Sequence, residues 1–149
     1  MSAMNFLRVS AFICGSALLF STSAAAEVTV KDAWVRGTVP AQKATGAFLT
    51  LTSTVEAKLV SAKTPIGERA EIHKTENHGG MMHMGEVESV PLPARQEVKL
   101  APGGYHVMIL GLKKPVTAEQ KVPITLTIEE KGGARKTVEV QASVRPLGQ

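Results

Sequence analysis

The sequence predicts a single all-β domain, an antiparallel β-sandwich or Greek-key barrel. Short segments that alternate apolar with polar residues, or are rich in Val, Ile and Thr, recur roughly every 8–15 residues. Turn signals stand between them, notably Pro102-Gly103-Gly104 and Lys131-Gly132-Gly133. No segment of about 11 residues combines helical period with proper caps. A length of 149 residues and an apolar fraction of 44% fit one folded domain with a real core.

The elements follow in order. Val28 to Trp34 alternates and is β-branched at its start, so it reads as the first strand. Gly46 to Thr52 and Lys58 to Thr64 follow, then Arg69 to Thr75. Met81 to Val87 is a weaker strand candidate, overlapping the Gly-rich run Asn77 to Gly85 that also reads as a loop. Val98 to Leu100 leads into the Pro102 turn. Tyr105 to Leu112 is apolar on both faces, which suits a central strand. Val122 to Glu129 and Lys136 to Val144 flank the Lys131 turn as a hairpin.

Residues 1–26 read as a secretory signal peptide rather than as fold. Arg8 is the only charge before Glu27, Val9 to Phe20 is apolar, and Ser21 to Ala26 reads STSAAA. Ala24 and Ala26 occupy the small-residue positions, so cleavage is expected before Glu27. Ala11-Phe12-Ile13 match a lipobox poorly, so Cys14 is expected to leave with the signal. The mature domain, 27–149, then has no Cys and carries 16 basic against 13 acidic groups. Export to an oxidising compartment, the bacterial periplasm, follows. The basic residues are scattered and the mature chain's aromatics are only Trp34, Phe48 and Tyr105, so nucleic-acid binding is not expected. No apolar run reaches the roughly 18–20 residues of a membrane-spanning helix, so no stable membrane insertion is expected.

The uneven feature is where His and Met sit. All four His (His73, His78, His83, His106) and all Met after residue 4 (Met81, Met82, Met84, Met108) lie between residues 73 and 108. Imidazole suits Cu, Zn and Ni, whereas a neutral thioether suits Cu(I), so the mixture points to Cu(I) before Zn(II). Thioethers also avoid the disulfides that paired thiols form after export. In a strand, residues two apart share a face, so His106 and Met108 form a two-ligand rung. His73 shares a face with Glu71 and Thr75 on another strand. Spacing alone leaves open which of Met81, Met82 or Met84 joins them. Taken singly, Met108 reads as core filler, His106 as a structural His, and Glu71 and Glu76 as solvated charges. Those readings leave the segregation unexplained.

With these residues in view, the chain resembles the periplasmic copper chaperones of the PCuAC type. Their signature is a His, ten residues, a Met, twenty-one residues, then His-x-Met. Here His73 is followed by residues 74–83 and Met84, then by residues 85–105 and His106-Val107-Met108. The surroundings are similar too: Gly80 to Met84, Pro102 to His106, Ala33-Trp34 and Gly46 to Leu51. The resemblance implies a cupredoxin-like β-barrel holding one Cu(I) near the surface through His73, Met84, His106 and Met108. It also implies delivery to copper-accepting proteins, such as respiratory oxidase subunits or Sco-type thiol proteins. His78, Met81, Met82 and His83 are left as auxiliary metal residues that capture copper first or hold Cu(II) weakly. Some family members carry a Met beside the first His, where this chain has Ile72. Some carry a His- and Met-rich C-terminal extension that binds Cu(II), whereas this chain ends RPLGQ, so no Cu(II) site is expected there.

Other readings fare worse. A blue-copper site needs a thiolate, and the mature chain has no Cys. A zinc hydrolase is opposed by the lack of an H-E-x-x-H motif, a G-x-S-x-G elbow or a carboxylate constellation. A purely structural sandwich used for docking predicts no stoichiometric copper. The expectation is a copper-delivery protein rather than an enzyme.

Overall fold

The computed structural model describes residues 26–148. It contains ten strands: β1 Val28–Arg36, β2 Ala44–Ser53, β3 Ala57–Lys63, β4 Arg69–His78, β5 Met81–Glu86, β6 Val90–Leu92, β7 Glu97–Leu100, β8 Tyr105–Leu110, β9 Lys121–Glu130 and β10 Arg135–Arg145. The all-β expectation holds, and the described residues include no helix long and apolar enough to cross a membrane. The signal-peptide reading, with Arg8 and Cys14, falls outside the described residues except for Ala26.

The strands join in one sheet, in the order β5-β4-β8-β2-β1-β10-β9-β3-β6, with β7 also paired to β2. Only β1 with β10 is parallel; the other named strand pairs are antiparallel. The two halves close over a common core. Ala47, Leu49, Leu51, Ile72, Val107 and Ile109 from one half meet Leu59, Leu92, Ile124, Leu126 and Ile128 from the other. Alternation explains the pattern: β9 buries Val122, Ile124, Leu126 and Ile128 and turns the residues between them outward.

Two features depart from simple alternation. Val90-Pro91-Leu92 forms β6, a strand the sequence reading did not anticipate, because three residues with a central Pro carry little strand signal. Val90 and Leu92 are nevertheless fully buried against the core. β1 contains a bulge between Lys31 and Trp34, where Asp32 adopts φ 51°. The extra residue shifts the side-chain parity. Val28 and Val30 pack toward the core before the bulge and Val35 after it, so Trp34 faces outward opposite Phe48. That outward face carries the candidate site.

Candidate metal centre

The site is built on β8, which lies between β2 and β4. Directly opposed residues of antiparallel strands share a face. The register opposes His106 to His73 and Met108 to Glu71 on β4, and Met108 to Gly46 on β2. One strand further out, Thr75 of β4 opposes Met84 of β5. His73, Met84, His106 and Met108 therefore share the outer face. The residues between them, Ile72 and Val107, point into the core with Ala47. This is the side-by-side placement of His106 and Met108 that strand alternation requires.

Each His is oriented through one nitrogen. The Nδ1–H of His106 donates to the carbonyl of Gly104 at 3.2 Å. That carbonyl also accepts from the Thr75 N–H at 3.0 Å, so the Pro102-Gly103-Gly104 turn ties β8 to β4. The Nε2–H of His73 donates to Glu71 Oε2 at 2.7 Å. In neutral rings these bonds leave His106 Nε2 and His73 Nδ1 as lone-pair donors. Both atoms are buried and without a hydrogen-bond partner among the described residues. An unsatisfied buried polar atom costs about 1–3 kcal/mol, so two in neighbouring rings call for a ligand. The ring centroids are 5.8 Å apart. The only other such atom among the described residues is Thr64 Oγ1, for which the structure offers no explanation.

The surroundings are aromatic on one side and open on the other. Phe48, Gly46, Met84, His106, Met108, Pro102 and Arg36 border a pocket of about 130 Å³. A Cβ at Gly46 would stand 2.9 Å from Phe48 Cζ, so a larger residue there would push the Phe48 ring aside. Arg145 lies over Trp34, whose ring is 4.5 Å from Phe48, and Arg36 lies over Phe48 from 5.5 Å. Phe48 is in turn 6.0 Å from His106. This stack packs the wall behind His106, which is only 4% exposed. Burial pushes the His106 imidazole below its usual value, against the Gly104 hydrogen bond, and the neighbouring His73 and Arg36 add to the lowering. Burial thus favours the neutral form of the ring. Met84 is 55% exposed on the outer strand of the sheet.

Several expectations are revised. Glu71 is not a solvated charge; its side chain is 19% exposed and bridges Arg69 and His73. Strand alternation placed it beside His73, but only the structure shows it holding the ring. The run Asn77 to Gly85 is not a loop but a hairpin of β4 and β5, turned at Gly79-Gly80, where φ is 63° and 85°. Its parity divides the auxiliary residues. Met82, opposite Asn77, shares the face of Met84, whereas His78, Met81 and His83 point the other way with Glu76. Sequence reasoning also gave no site role to Arg36, Phe48 or Gly104. Their place rests on strand pairing and carries no local signal.

Comparison with known proteins adds three findings. The LpqE-like family model, described as a lipoprotein family, matches residues 28–144. The lipoprotein-named Lxx21020 of Leifsonia xyli subsp. xyli (strain CTCB07) is 33% identical over 104 residues, which cover 69% of this chain and 63% of that protein. This chain thus spans less than two thirds of the relative's length. Among solved structures, the apo PCuAC domain from PmoF1 is 26% identical with a TM-score of 0.65, over 80% of this chain and 93% of that one. The solution structure of CuI-DR1885 from Deinococcus radiodurans is 36% identical with a TM-score of 0.58, over 76% of this chain and 74% of that one.

Proposed function

The chain belongs to the LpqE-like family, with PCuAC domains among its solved relatives, and on that premise we propose that it is a copper chaperone carrying one Cu(I) as cargo. The proposed ligands are His73, Met84, His106 and Met108. The observation that carries the reading is the pair of buried, unpartnered imidazole nitrogens on the face that also bears the two thioethers. The ligand set is neutral and half sulfur, which suits a soft monovalent ion better than Zn(II) or a hard dication. The copper-loaded Deinococcus relative supports the same cargo.

The geometry also supports delivery rather than storage. His106 and Met108 sit on a strand paired on both sides, and His73 is braced by Glu71. Met84 is exposed on a strand paired on one side only. A partner's ligand can approach from the Met84 side and replace that thioether while both imidazoles still hold the ion. Transfer then proceeds without releasing free copper. The acceptors we propose are exported copper proteins, respiratory oxidase subunits or Sco-type thiol proteins among them. Export to the periplasm after signal cleavage is part of the same reading, supported by the lipoprotein names among its relatives. The protein acts by binding and handing on its cargo and turns over no substrate.

X-ray absorption on the Cu(I)-loaded protein tests the ligand set. The expected shell has two nitrogen and two sulfur neighbours, falling to one sulfur in Met108→Ala. A shell of nitrogen and oxygen alone would overturn the assignment.

A further inference from the structure

We propose that the tip of the β4–β5 hairpin is a second, weaker metal site, taking Cu(II) through the imidazoles of His78 and His83. This goes beyond the Cu(I) reading and does not depend on it. The two residues are diagonal neighbours across the ribbon, since His83 opposes Glu76 and His78 opposes Met81. Their ring centroids are 5.7 Å apart with planes at 53°. Two imidazoles bound to one ion through bonds of about 2.0–2.1 Å bring their ring centroids to roughly 4.5–6 Å, so a small rotation of either ring suffices.

The tip is held in shape before any ion arrives. The Gly79-Gly80 turn has positive φ at both residues, the form that matches the twist of the flanking strands. The Gly80 N–H donates to Asn77 Oδ1 at 3.0 Å, which braces the turn. Glu76 plays for His78 the part that Glu71 plays for His73. Its carboxylate accepts from His78 Nε2–H at 3.1 Å and leaves Nδ1 to the ion. Glu76 is also engaged by Lys74. No three His, Cys, Asp or Glu side chains form a ready-made metal cluster among the described residues. The ion would have two imidazoles and water around it, an arrangement that suits Cu(II) and keeps binding weak and exchangeable.

Parity keeps the two sites apart. His83 and Met84 are adjacent and point to opposite faces, so no ligand is shared. Both His78 and His83 are exposed.

The test uses the full chain without an affinity tag, with Cu(II) alone added in a non-coordinating buffer. Equilibrium dialysis counts the ion and electron paramagnetic resonance reads its ligands. A His106→Ala/Met108→Ala double variant is expected to retain one Cu(II) with a nitrogen-coupled spectrum. In a His78→Gln/His83→Gln double variant that Cu(II) is expected to bind at least tenfold more weakly, with Cu(I) uptake against a chromogenic chelator unchanged. An unaltered Cu(II) spectrum and affinity in His78→Gln/His83→Gln would overturn the proposal. So would loss of all Cu(II) in His106→Ala/Met108→Ala. Failure of the Cu(I) reading shows separately, as no Cu(I) uptake by the wild-type chain.

Discussion

The two strands that frame the outer-face pocket differ in how firmly they hold their residues. β8 is paired on both sides, and its His106 is buried, hydrogen-bonded to Gly104 and packed behind by Phe48. β5 is paired only to β4, and all six of its residues are exposed. A carrier needs both kinds of support. A donor locked by packing loses little freedom on binding and retains the ion. A donor on an exposed outer strand is easily displaced by another chain.

The sharpest way to break this contrast is to remove the anchored donor. His106→Ala is expected to weaken Cu(I) binding by roughly a hundredfold or more, at or beyond the upper end of what a lost supporting residue costs. Competition with a chromogenic Cu(I) chelator measures it. A loss no larger than that of Met84→Ala would erase the distinction between the strands.

Next in size is Glu71→Ala, which frees the His73 ring to rotate. The expected loss is about tenfold, within the range for removing a hydrogen-bond partner of a metal-binding imidazole. Glu71→Gln retains an acceptor and is expected to recover part of it in the same titration. Full loss in both variants would mean that charge, not orientation, is what Glu71 supplies.

Met84→Ala is expected to cost less than tenfold at equilibrium, because Met82 stands two residues away on the same face. Its larger effect is kinetic. Stopped-flow transfer to a chelator should be faster than in the wild type, whereas Met108→Ala should lose affinity first.

The smallest effect is that of acid on the apo-protein. Burial lowers the His106 pKa below its ordinary value. Folding therefore favours the neutral ring. Its contribution to stability is fully present above the unfolded pKa of about 6.5 and is lost as pH falls through the folded value. The urea midpoint of the apo-protein should fall between pH 7 and pH 5, and less so in His106→Phe. An NMR titration of the ring protons should place His106 below the ordinary imidazole value of about 6.5. Titration at or above that value would contradict the buried setting.

Much of the fold was legible because most strands alternate with period two. β9 and β10 each turn apolar residues one way and mostly polar residues the other, and the Lys131-Gly132-Gly133 turn joins them. β4 runs on to His78 because β5 folds back onto it, which no residue within Arg69 to Thr75 announces. β6 is a strand only because Leu59 and Ala57 of β3 pair with it. In the candidate site, the types of the proposed ligands and the shared face of His106 and Met108 were readable. The bracing by Glu71, the wall of Trp34 and Phe48, and the division of the hairpin residues were not.

The sequence by itself determined what is local. It set the donor chemistry, imidazoles and thioethers with no Cys after residue 14, and it set the two-residue alternation of the unbroken strands. Tertiary structure decided which strands meet and in what register: His73 opposite His106, Met84 one strand further out, and Trp34 outward through the Asp32 bulge. Side-chain alternation repeats every two residues along a single strand. Register is a relation between strands distant in the chain, fixed by burying their apolar faces together, and a one-residue slip would turn every donor to the other side.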